Sequence, residues 1–131
     1  MTTATRSILT TLLDEVPPSV PEGAEIMTVK VELPPGDPGT PPHRHSGPVF
    51  GYVLEGEIVF ELEGEPERLI RAGEAFWEPG GDVIHYQAGN GLSGEWSRFV
   101  VVMIGVPGAP MLTLVDEAEL EARRDRRAPR P

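Results

Sequence analysis

Glycine and proline each occur 15 times in the 131 residues, and these breakers fall at regular intervals between β-branched and aromatic segments. Glycine turns the backbone with positive φ and proline removes a hydrogen-bond donor, so a chain punctuated this way builds short strands and tight turns. Residues Glu25 to Leu33 alternate, with Val29, Val31 and Leu33 on one face and Thr28, Lys30 and Glu32 on the other. Pro34 to Pro42 reads as a loop and Val49 to Leu54 as a second strand. Glu57 to Glu63 is a third, in which Ile58, Phe60 and Leu62 oppose Glu57, Glu61 and Glu63. Further strands are expected over Glu67 to Ala72, Ala75 to Glu78, Val83 to Gln87, Trp96 to Ile104 and Met111 to Val115. About eight short antiparallel strands, with a turn roughly every 8–12 residues, describe an all-β sandwich or barrel.

The pattern allows a helix over Thr5 to Leu13 and favours one over Asp116 to Arg127, which has acidic residues in its first turn and arginines in its last. The chain suits one domain, divided into an N-terminal arm (1–24), a β-barrel (25–115) and a C-terminal helix with a basic tail (116–131).

Charge narrows the partners. Residues 1–120 carry 6 Lys and Arg against 19 Asp and Glu, so the body is strongly acidic and unsuited to nucleic acid. The single basic cluster is Arg123-Arg124-Asp125-Arg126-Arg127. It reads either as a frayed, solvated terminus or as an intramolecular partner for the acidic body. Its breakers and charge lead to the expectation that removing Arg123 to Pro131 leaves the fold unchanged. The longest apolar run, Phe99 to Ile104, is far shorter than the roughly 20 residues of a membrane span. Nothing near Met1 resembles a secretory leader, so a soluble cytoplasmic protein is expected. Cysteine is absent, which removes disulfides, thiolate metal sites and cysteine nucleophiles.

The chain has three histidines, and two of them stand one residue apart as His43-Arg44-His45. On a strand such a pair points to the same side, so both imidazoles can converge on one ion. His85 follows 40 residues on, just after a Pro-Gly turn. Three imidazoles with open remaining positions suit Fe, Zn, Mn, Ni or Cu. The competing reading, surface histidines on loops, stands level with it for an isolated His-x-His.

The flanking residues bear on that choice. The stretch from Pro41 through His43, His45 and Val49 to Gly56 closely resembles the first cupin motif, and Gly73 through Pro79 and Gly81 to His85 resembles the second. The resemblance covers about residues 25 to 115 and implies a cupin-type double-stranded β-helix, a jelly-roll barrel. It also implies that His43, His45 and His85 hold one divalent metal per chain. Three departures stand out: Asp37 falls where the first motif opens on glycine, one extra residue separates Gly81 from His85, and Val49 replaces the usual metal-binding glutamate.

Two further residues are candidates for catalysis. Glu78 precedes the second-motif turn and reads as an orienting partner, a general base, a fourth ligand, or a solvated strand end. Gln87 is expected to share the strand face of His85 and to bond a ligand or metal-bound water. Val49, Gly51, Val53 and Val83 are expected to wall the site, and Phe50, Phe76, Trp77, Tyr86 and Trp96 to serve mainly core or interface. The resemblance implies a metal-dependent enzyme acting on a small organic molecule, foremost a three-histidine Fe(II) dioxygenase-like activity. A Zn-, Ni- or Mn-dependent lyase, cyclase or isomerase and a non-catalytic small-molecule-binding cupin are the alternatives. A homodimer is expected, because apolar residues occupy both faces of Val49 to Leu54 and Phe99 to Ile104.

Overall fold

The structure is a computed structural model that describes residues 6–130. Nine strands follow in order: β1 (Glu25–Leu33), β2 (His43–Arg44), β3 (Val49–Glu55), β4 (Glu57–Leu62), β5 (Arg68–Arg71), β6 (Ala75–Glu78), β7 (His85–Asn90), β8 (Ser97–Gly105) and β9 (Thr113–Leu114). They form two sheets, ordered β1-β8-β3-β6 and β5-β4-β7-β2-β9, and every pairing is antiparallel. This is the expected all-β jelly-roll.

Alternation in the strands sets what lies between the sheets. Leu33, Val49, Val53, Phe76, Phe99 and Val101 from the first sheet meet Ile58, Phe60, Leu62 and Ile70 from the second in one buried cluster. The inward faces of β1 and β4 are those read from the sequence. One irregularity matters for the site. Opposite β4, Leu62 faces His85 while Glu61 faces Gln87, so Tyr86 is an extra residue in β7, a β-bulge. Tyr86 joins Ile84 and Val115 in a second buried cluster, against which Leu120 of the helix packs.

Helix α1 (Glu117–Ala122) falls within the expected segment and continues into a 3-10 turn, Arg124–Arg126. The Asp116 side chain caps it, accepting from the Glu119 N–H at 2.8 Å. The tail is not frayed. Arg123 pairs with Glu63, and Arg127 makes two 2.8 Å bonds to the fully buried Glu61 and lies over the Tyr86 ring. Part of the acidic body's counter-charge thus lies within the chain. At the other end, Thr5 lies outside the described residues, and residues 6–24 contain no helix or strand. Ile8, Leu9 and Val16 there are almost fully exposed.

Candidate metal centre

His43 lies on β2, between β9 and β7, in direct register with His85. His45 follows two residues later on the same side. All three imidazoles are buried, and one nitrogen of each lies within 4.8 Å of the others. Ring centroids of His43 stand 4.9 Å from those of both His45 and His85. The surface-loop reading is therefore excluded.

Two backbone carbonyls orient the rings. His43 Nδ1 lies 2.8 Å from the Pro41 carbonyl, and His45 Nδ1 lies 2.8 Å from the Met111 carbonyl. A carbonyl only accepts, so each Nδ1 carries a proton, and in the neutral ring each Nε2 keeps a free lone pair. Burial pushes the His43 imidazole down to about 4, which keeps it neutral and able to ligate. Neither ring nitrogen of the fully buried His85 has a hydrogen-bond partner. A buried imidazole left orphaned on both sides is costly unless something binds it. The donor set and this orphan both fit a metal ion bound by three imidazoles.

Glu78 ends β6 and is 4 % exposed, so it is not a solvated strand end. Its Oε1 stands 3.1 Å from His85 Nδ1, off the line of a hydrogen bond, and its Oε2 stands 3.6 Å from His45 Nε2. Burial raises the Glu78 carboxyl, but the imidazoles of His85, His45 and His43 outweigh it and hold the group below the usual range. Two glycines fasten this strand end to the histidine strand. Gly80, at φ +74°, packs against Gly47, and the Gly81 N–H donates to the His45 carbonyl at 2.8 Å.

The imidazoles and Glu78 open on a cavity of about 90 Å³ between the sheets. Val31, Leu33, Val49, Phe76, Phe99, Val101 and Met103 wall it, Thr40 contributes one hydroxyl, and no Lys or Arg reaches it. A larger groove of about 440 Å³, with Trp77, Pro79 and Val83, is open to solvent and touches none of the histidines. Val83 thus walls that groove instead of the histidine cavity.

Gln87 is elsewhere. The bulge at Tyr86 turns it to the outer face, where its amide donates to Glu61 at 2.8 Å and Glu67 at 2.7 Å. Strict alternation put it beside His85; one inserted residue reversed its direction. The sequence reading also missed Glu119, whose carboxylate grips Arg44 at 3.0 and 2.6 Å and so holds the outward side of the His-x-His strand. The Pro41 and Met111 carbonyls are backbone groups, with no residue-type signal.

A model of the cupin domain matches residues 29–101, more than half of the chain. The chain belongs to the cupin family. No curated protein matches it. Among solved structures, this cupin is similar to an oxalate oxidase, at 28 % identity and TM-score 0.57 over 69 % of this chain and 46 % of that one. It shares its fold with the DMSP lyase DddQ from Ruegeria pomeroyi, at 22 % identity and TM-score 0.57, over 69 % of this chain and 43 % of that one. A protein from Thermus thermophilus matches at 30 % identity and TM-score 0.52, over 63 % of this chain and 74 % of that one. The cupin spans about half the length of the oxalate oxidase chains it matches, 46 % and 56 %. Among the described residues no helix is long and apolar enough to cross a membrane.

Proposed function

We propose that this cupin binds one divalent metal ion per chain through His43, His45 and His85 and uses it to oxidise a small organic molecule with oxygen, in the manner of a dioxygenase. The observation that carries the reading is the convergence of three buried imidazoles, two with Nδ1 fixed by carbonyls and the third without a hydrogen-bond partner. A metal bound there would act as Lewis acid or oxygen activator. The likeness to an oxalate oxidase supports an oxygen-dependent reaction over a lyase or isomerase.

The chain's own residues define what enters. A cavity of about 90 Å³ takes a molecule of a few heavy atoms, and its walls are mainly apolar. With no Lys or Arg in the wall, several negative charges on a substrate would go unmatched. A small neutral or singly charged oxygen ligand fits best. Glu78 supplies the cavity's one carboxylate. We propose further that the cupin works as a homodimer, through the apolar outer face of its first sheet.

Element analysis of protein purified without a histidine tag should find about one metal per chain. His43→Ala and His85→Ala should each abolish it, since no other imidazole and no thiolate exists to substitute. Full metal content in either variant would show the site to be wrong. Oxygen uptake by the iron-loaded protein with small oxygen-bearing substrates tests the reaction class. Tightly held zinc without oxygen uptake would instead favour lyase or isomerase chemistry.

A further inference from the structure

We propose that Glu78 is a fourth metal ligand, supplying from the neighbouring strand the carboxylate that this chain lacks at Val49. The inference rests on the metal site proposed above and adds one donor to it.

Register carries the argument. Val49 on β3 and Glu78 on β6 are directly paired across the first sheet. Directly opposed residues point to the same face, with Cβ atoms roughly 4.5–5.5 Å apart. Here that face is the inner one, since both side chains are buried and both line the histidine cavity. A carboxylate on either strand therefore reaches nearly the same volume. The chain places valine on one side of the pair and glutamate on the other.

The surroundings of Glu78 favour a cation. A buried carboxylate normally has a guanidinium, an ammonium or several N–H donors. Among the described residues the only ion-pair partners of Glu78 are two imidazoles, of His45 and His85. One of those contacts is to His45 Nε2, which carries no proton in the neutral ring whose Nδ1–H bonds the Met111 carbonyl. In that neutral form a lone pair of His45 faces a lone pair of Glu78, and the two repel unless a cation lies between them. Two donor atoms bound to one ion by bonds of about 2.1 Å stand roughly 3.0–3.4 Å apart at ordinary coordination angles. The observed 3.1 Å falls within that spacing and the 3.6 Å lies just beyond it.

A role as mere orienting partner of His85 fits less well. The 3.1 Å contact is out of line for a hydrogen bond, and the second oxygen has no part in it. A ligating carboxylate also shifts metal preference, because an anionic oxygen donor favours Mn and Fe more than three imidazoles alone do.

The test moves the carboxylate across the pair. Mn(II) titration would compare the parent, Glu78→Val, and the exchange variant Val49→Glu/Glu78→Val, with His43→Ala as a metal-free control. Glu78→Val should lose about 100-fold or more in Mn(II) affinity, at the upper end of what losing an orienting partner costs. The exchange variant should recover most of that loss. A folded exchange variant that binds no better than Glu78→Val would overturn the proposal, since a carboxylate placed across the pair would then fail to restore the lost donor. Crystals of the Mn-loaded parent give a second answer that needs no variant. A Glu78 oxygen within about 2.3 Å of the ion upholds the proposal, and one beyond about 3 Å refutes it. If parent and variants alike bind no metal, the three-histidine site itself fails, a result distinct from either outcome.

Discussion

Gly80 holds the segments that carry Glu78 and His45 together by having no side chain. A Cβ there would lie 2.0 Å from the Gly47 carbonyl oxygen, while its neighbour Gly81, also at positive φ, would meet nothing within 4 Å. Both positions therefore share the backbone strain of a left-handed L-residue, about 1–2 kcal/mol, but only Gly80 adds a backbone clash. Gly80→Ala should destabilise the protein by at least roughly 2 kcal/mol more than Gly81→Ala, a figure set by forced backbone movement. It should also weaken metal binding, because it pushes the end of β6 away from the segment after His45. Equal melting temperatures for the two variants would refute the close-approach argument. At this scale the cluster of three histidines was legible, since their spacing and flanking turns are written in residue types. Glu78 was visible as a candidate, yet its place became clear only once β3 and β6 were in register. Gln87 was misplaced because a bulge leaves no trace in the alternation that predicts a strand.

Helix α1 and the turn after it act as a charged clamp on the outer face of the second sheet. Glu119 grips Arg44, Arg123 pairs with Glu63, and Arg127 pairs with Glu61. Glu61 was read as one of several outward acidic residues of β4; the structure buries it to 1 % exposure under the tail. Charge alternation showed that it faces away from the core, but not that a distant segment covers that face. Burial by itself would raise the Glu61 carboxyl; the Arg127 guanidinium and the Gln87 amide instead hold it below the usual range. Removing Arg127 leaves a buried carboxylate short of its counter-charge, so Arg127→Ala should cost about 3 kcal/mol and lower Tm by roughly 10 °C. The sign of the pH dependence follows from the lowered value. Stability from Glu61 is complete above its unfolded pKa of 4.5 and is lost as pH falls through the lower folded value. The melting advantage of the parent over Glu61→Gln should thus be full at neutral pH and fade in acid below 4.5. An advantage that is constant from neutral pH to strong acid would refute the pairing. So would a truncation at Arg123 that melts like the full chain.

For the whole molecule, the two sides of the first sheet have different tasks. Its inner side carries Val49, Phe76 and Glu78 to the cavity, while its outer side presents Phe50, Trp77, Val100, Val102 and Ile104, all only half buried. Ile26, Tyr52 and Leu54 extend that patch and are exposed by 67, 38 and 44 %. Phe50 stacks on Trp77 with centroids 6.1 Å apart, so the centre is ordered and aromatic. At its rim Arg98 is already satisfied by Glu32 and Glu55 of the same chain, both at 2.8 Å, and needs no charge from a partner. An apolar patch of this kind suits a two-fold interface between identical copies, which is why a second copy is the expected occupant. Each copy carries a formal charge of −10, so long-range repulsion opposes association and salt should weaken that repulsion. Light scattering at micromolar concentration should therefore report a dimer that tightens as ionic strength rises. Val102→Glu, which sets a carboxylate at the centre of the patch, should give a folded monomer with an unchanged far-ultraviolet spectrum. A monomeric parent, or a dimer that loosens with added salt, would count against this face as the interface.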